Sequence, residues 1–208
     1  MGNASEALKC ATAHLVRANQ SQDDVERFRD LWSALNAIYD SESRDGSELA
    51  RAKAYVAEFL DDADLADLVE LPQIRWLSER EVVWEPSWGT RPAAIEGISG
   101  VLGRPRNAVP EEIEVARIDP DLLDQCIEEM TGVDRLRDDL IEVIYSIRNN
   151  VVHGNKEIDR PDNLELVSKA VVPLAVIVGS VVAGFSARNC ERDGTGGHLG
   201  LRRGPDLL

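Results

Sequence analysis

"VDRLRDDLIEVIYSIRNNVVHG", residues 133–154, decides the fold. Leu136, Leu140, Val143, Ile144 and Ile147 recur every three or four residues, which puts them on one stripe of an α-helix. Asp134 is placed to cap its start and Gly154 to stop its end. The last turn then changes character. "RNNVVHG", residues 148–154, sets an arginine, two asparagines and a histidine where a plain helix would simply fade.

The same period recurs outward along the chain. Residues 4–19 form a short helix with Ala7, Leu8, Ala11 and Leu15 on one side. In "SQDDVERFRDLWSALNAIYD", residues 21–40, Val25, Phe28, Leu31, Trp32, Leu35, Ile38 and Tyr39 mark a stronger one. Ser21 followed by Asp24 resembles a capping box with aspartate in place of glutamate. A third helix is predicted over 47–61 and a short acidic one over 62–70, ending at Pro72. Helical pattern resumes at Pro120 behind Asp119, breaks at Gly132, and returns in 133–154. The final helix begins at Asp159 or Asp162, and Pro173 should kink or divide it. The fold class is therefore all-α, a helical bundle.

Residues 72–119 interrupt the bundle. Pro72, Pro86, Pro92, Pro105 and Pro110 fall there, with Pro120 adjoining, and so do Trp76, Trp84 and Trp88. This reads as an irregular Pro/Trp-rich insertion, with "EVVWEPSWGTRP" as its one place for a short strand. The domain is taken as 1–187, with 188–208 a glycine- and charge-rich flexible tail in which His198 has no assigned role.

Composition bounds the partners. The net charge is −15, from 38 acidic and 23 basic residues, of which only Lys9, Lys53, Lys156 and Lys169 are lysine. A salt-rich cytoplasm and a GC-rich genome both produce that bias. Such a field repels nucleic acid at low salt, so RNA binding requires a local basic patch or screening. Arg75, Arg80, Arg91, Arg104 and Arg106 are the candidates for that patch. Cys10, Cys126 and Cys190 are far apart and odd in number, which argues for a reducing cytoplasm and against a disulfide framework. Neither a metal site nor a cofactor is expected, because histidines and cysteines lack ligand spacing and no phosphate-cradling glycine loop occurs. The uncharged run "AVVPLAVIVGSVVAGF", 170–185, falls short of the roughly 20 apolar residues of a membrane span, so it is read as a core helix.

The chemistry at 148–154 has two readings. Cations in a last helical turn are expected from the dipole and from carbonyl capping alone. Yet Arg148 can also donate paired hydrogen bonds to a phosphate, and His153 can exchange a proton near neutral pH. Asn149 precedes His153 by four residues and shares its face, placed to orient the imidazole or to bind substrate. Arg148 and His153, by contrast, are separated by about 140° of helical rotation. Either the helix frays near Gly154, or the long arginine swings across, or the two groups meet a substrate from neighbouring faces.

"RNNVVHG" resembles the R-x4-6-H motif of the HEPN superfamily, including the polar residue directly after the arginine, here Asn149. "LWSALNAIYD", residues 31–40, resembles the early helix of the Apea-like HEPN group. The resemblance covers about 21–62 and 120–187 and leaves the insertion and tail outside it. It implies a homodimer with two motif copies facing one cleft. It further implies metal-independent cleavage of RNA in toxin–antitoxin, antiviral-defence or stress settings, which leaves room for a cognate antitoxin or defence-system partner. His153 would move the proton at the ribose 2′-hydroxyl, Arg148 would stabilise charge on the scissile phosphate, and Asn149 would support them. Asn150 and Asn36 are the candidate substrate-binding positions, Asn36 as a polar residue of the early helix placed to line the cleft. The rival readings are a non-catalytic HEPN-like module binding RNA, nucleotide or protein, and a structural domain that dimerises through 170–185.

Overall fold

A computed structural model describes residues 2–42, 45–84, 94–96, 114–153 and 161–192. Among these, eight helices carry nearly all the regular structure: α1 (Gly2–Gln20), α2 (Asp24–Tyr39), α3 (Glu48–Phe59), α4 (Asp62–Val69), α5 (Pro72–Ser78), α6 (Pro120–Glu129), α7 (Val133–His153) and α8 (Pro161–Arg192). The all-α class predicted from periodicity holds for the body of the protein.

Short polar side chains set most helix starts. Asp23, not Ser21, caps α2, accepting from the backbone N–H groups of Val25 and Glu26. The Ser21 hydroxyl instead accepts from the Asp23 N–H, one step too early to reach the helix. Ser47, Asp61 and Asp119 cap α3, α4 and α6, the last with Pro120 in the first turn as predicted. Asp134 does not cap α7. It lies inside the first turn and accepts from Arg137 at 2.8 Å. Gly132 turns the chain into α7 with φ +69, where an added Cβ would strike Leu122.

Among its described residues the insertion holds one short helix and three short strands. Pro72 starts α5, where its fixed φ suits a first turn and its missing N–H has no helical partner to lose. A three-stranded antiparallel sheet follows, in the order β2-β1-β3, from β1 (Arg80–Trp84), β2 (Ala94–Glu96) and β3 (Glu114–Arg117). Val82 pairs with Ala94 on one side and Ala116 on the other. Only β1 lies within the stretch expected to hold a strand. β2 and β3 are three and four residues long, too short to show an alternating pattern. Val82, Ala116 and Ile118 are buried, and α7 packs against β1 and β3. Trp88 and the arginines at 91, 104 and 106 lie outside the described residues.

The core is one cluster running from Phe28, Leu35 and Tyr39 of α2 through Tyr55 of α3 to Leu140, Ile144 and Ile147 of α7. α8 runs unbroken through Pro173, with the proline ring buried. Burial of the ring offsets the hydrogen bond that a helical proline forfeits. The helix reaches Arg192, so the tail starts later than 188, and His198 is outside the described residues. Among the described residues α8 alone is long and apolar enough to cross a membrane by length and composition. Leu166, Ala170, Leu174, Ile177, Val181 and Phe185 form its buried stripe, and it packs on α2, α3 and α5 as the core helix of a bundle does.

Arg188 closes the far end of α8, joining Glu42 and Glu58. At α1, His14 Nδ1 lies 2.7 Å from Asp30 and Arg17 donates to the same carboxylate at 3.0 Å. Burial works to raise the Asp30 pKa, but the hydrogen bonds from His14 and Arg17 hold it below the ordinary value. His14 is thus a brace between α1 and α2, consistent with a structural role.

Candidate functional site

The motif occupies the last turns of α7, which stays helical through His153 and ends one residue before Gly154. It does not fray early, so the rotation of about 140° between Arg148 and His153 stands. In the same helical projection Asn149 falls at about 100°, between the two. The His153 side chain lies outside the described residues.

Arg148 is held from several directions. Its Nη2 is 3.2 Å from Glu48 Oε1, at the start of α3. Its Nη1 donates to Asn149 Oδ1 at 2.9 Å. The guanidinium carbon lies 5.9 Å from the centre of the Tyr145 ring, within cation–π range. Only 19% of the side chain is exposed. The C-terminal end of a helix also favours a cation.

Glu48 is the centre of this cluster. Oε1 accepts from the Tyr39 hydroxyl at 2.8 Å and from the Trp32 indole N–H at 3.3 Å, besides pairing with Arg148. Trp32 and Tyr39 are both buried in α2. The Trp32 ring is 6.4 Å from Tyr39, edge-on, and 5.8 Å from Tyr145. Burial pushes the Tyr39 phenol far above its ordinary pKa, and the hydrogen bond to Glu48 pushes it further, so Tyr39 is a neutral donor. Arg51 lies over that ring at 5.6 Å and pairs with Asp40.

The sequence-predicted residues fare differently. Arg148 and Asn149 are joined directly. Asn149 is 2% exposed, and its oxygen holds Arg148. Its Nδ2 has no hydrogen-bond partner among the described residues. Asn150 is half-buried, with both amide atoms buried and unpartnered among the described residues. Asn36 is half-buried, on the α2 face that also carries Trp32 and Tyr39 by its spacing from them. Arg75 and Arg80 do not form an open basic patch. Arg75 pairs with Asp124 at 2.5 Å, and Arg80 stacks on Trp76 at 3.4 Å and lies 3.8 Å from Glu79.

Glu48, Tyr39 and Trp32 were not singled out from sequence. Glu48 reads as an ordinary acid in a first turn, and the two aromatics as core. The available signal was weaker: a buried tyrosine or tryptophan must place its O–H or N–H on some partner. A shallow groove of about 440 Å³ lies elsewhere, between Asp23 and Asp24 of the α2 start and Glu165, Ser168 and Lys169 of α8.

Compared with protein-family models, curated proteins and solved structures, the chain matches none.

Proposed function

We propose that this chain is a HEPN-type endoribonuclease with a defence, toxin or stress role, acting as a homodimer through Arg148 and His153. The observation that carries the reading is the hydrogen bond between Arg148 and Asn149, 2.9 Å long. In the resembled motif a polar residue follows the arginine, and here that residue engages the arginine itself. The location at the end of an amphipathic helix supports the same reading.

The reaction follows from the side chains. The ribose 2′-hydroxyl attacks the adjacent phosphorus while His153 manages its proton. Arg148 stabilises the charge that builds on the phosphate oxygens. The bond to the 5′-oxygen breaks, and that oxygen takes up the proton that the His153 imidazolium returns, leaving a 2′,3′-cyclic phosphate and a 5′-hydroxyl. The need for a 2′-hydroxyl selects RNA over DNA. Pairing Arg148 of one copy with His153 of the other removes the rotational mismatch within a single helix.

One observation favours a non-catalytic module instead. Glu48 neutralises Arg148 at 3.2 Å, inside a chain of net charge −15. RNA must displace or share that carboxylate.

Incubation of mixed RNA with the wild type, His153→Ala and Arg148→Ala, with chelator and at low and high salt, separates the readings. The expected result is cleavage to cyclic-phosphate ends by the wild type, reduced at least about 100-fold in either variant. RNA retained but uncut at both salt levels supports the binding module.

A further inference from the structure

Two hydrogen-bond donors and one guanidinium converge on one carboxylate oxygen, and the two donors are fixed. Tyr39 is fully buried and Trp32 is 4% exposed, so neither ring can follow a wandering glutamate. Phenylalanine at position 39 would fill nearly the same space without a polar atom to satisfy. The hydroxyl and the indole N–H are instead both spent on Glu48 Oε1. That oxygen faces Arg148, while Trp32 also packs on Tyr145, which lies against the guanidinium.

We propose that Trp32 and Tyr39 are positioning residues of the site: they fix the Glu48 carboxylate and, through it, the orientation of the Arg148 guanidinium. The catalytic part of this assignment rests on the reading of Arg148 as the phosphate-binding group. An exposed Arg–Glu pair spends side-chain entropy to hold one geometry and gains little from it. Here folding has already spent that entropy on the carboxylate, so the guanidinium is set before a substrate arrives. Asn149 holds the other side of the same fork.

The test has two independent arms. In ¹⁵N-arginine NMR, with the Arg148 signal assigned by its loss in Arg148→Ala, guanidinium rotation is measured in the wild type, Tyr39→Phe and Trp32→Phe. Rotation should be slow in the wild type and faster in both variants, with Arg137 unchanged as an internal control. In RNA cleavage, Tyr39→Phe should lower kcat about tenfold and leave KM within about twofold, the scale of one hydrogen bond to a charged group. Unchanged Arg148 rotation in folded variants overturns the proposal, as does a kinetic loss confined to KM. Should Tyr39→Phe fail to fold, Trp32→Phe carries both arms. A wild type that cuts no RNA refutes the nuclease reading, while the NMR arm still decides whether the aromatics hold Arg148.

Discussion

Arg137 and Arg148 lie about three turns apart on α7 and solve the burial of a guanidinium in opposite ways. Arg137, 6% exposed, pairs with Asp62 at 3.1 Å and Asp134 at 2.8 Å. Those carboxylates are 74% and 97% exposed, so water satisfies them whether or not the arginine is present. Arg148 pairs with a carboxylate that is only 24% exposed and is shared with two buried aromatics. The first arrangement needs no fixed partner and ties α7 to α4. The second fixes a partner at some cost, which a brace alone does not require.

The contrast can be broken most sharply by truncating each arginine. Arg148→Ala should abolish most cleavage while shifting urea-melt stability by no more than about 1 kcal/mol, because Glu48 keeps two donors and some water. Arg137→Ala should do the reverse: about 1–2 kcal/mol of stability lost with its buried stem, and cleavage unchanged. If Arg137→Ala stops cleavage without destabilising the protein, the two arginines have been assigned to the wrong roles.

Alkaline pH sharpens the same comparison. The folded-state pKa of Tyr39 is raised above its ordinary value of 10.0, first by burial and then by Glu48. Between the unfolded and folded values the native phenol keeps its proton while the unfolded one loses it. That contribution to stability is therefore complete below about pH 10 and is lost as pH rises further. Chemical denaturation from pH 8 to 11 should show a steeper alkaline decline for the wild type than for Tyr39→Phe. Equal slopes would mean that Tyr39 is not held neutral beside Glu48.

The smallest effect belongs to the partner of Arg137. Asp62→Asn should change stability by less than about 0.5 kcal/mol, since an exposed carboxylate contributes little to an ion pair. A loss above 1 kcal/mol in the same melt would place Asp62 with Glu48 rather than with the solvent.

How much of this was legible beforehand differs from element to element. α2, α7 and α8 were readable because many apolar residues repeat at one period, and a long pattern survives local exceptions such as Pro173. Within 72–119 only the short strand near Val82 was legible, because β2 and β3 are too short to show a period and α5 is little more than one turn. Arg148 and Asn149 were picked out by their unusual company in one helical turn. Their joining was not, since spacing places Asn149 beside His153 or a substrate, whereas the structure gives its oxygen to the arginine.

The sequence by itself determined the all-α class, the main helix boundaries to within a few residues, and the position of the motif at the end of α7. Each of these is local, set by periodicity and by residues within a turn or two. Only the tertiary structure decided that Glu48 meets Arg148 and that Trp32 and Tyr39 share its carboxylate. Those residues belong to three helices, and what brings them together is the packing of α2, α3 and α7 around one core, which no short stretch of chain encodes.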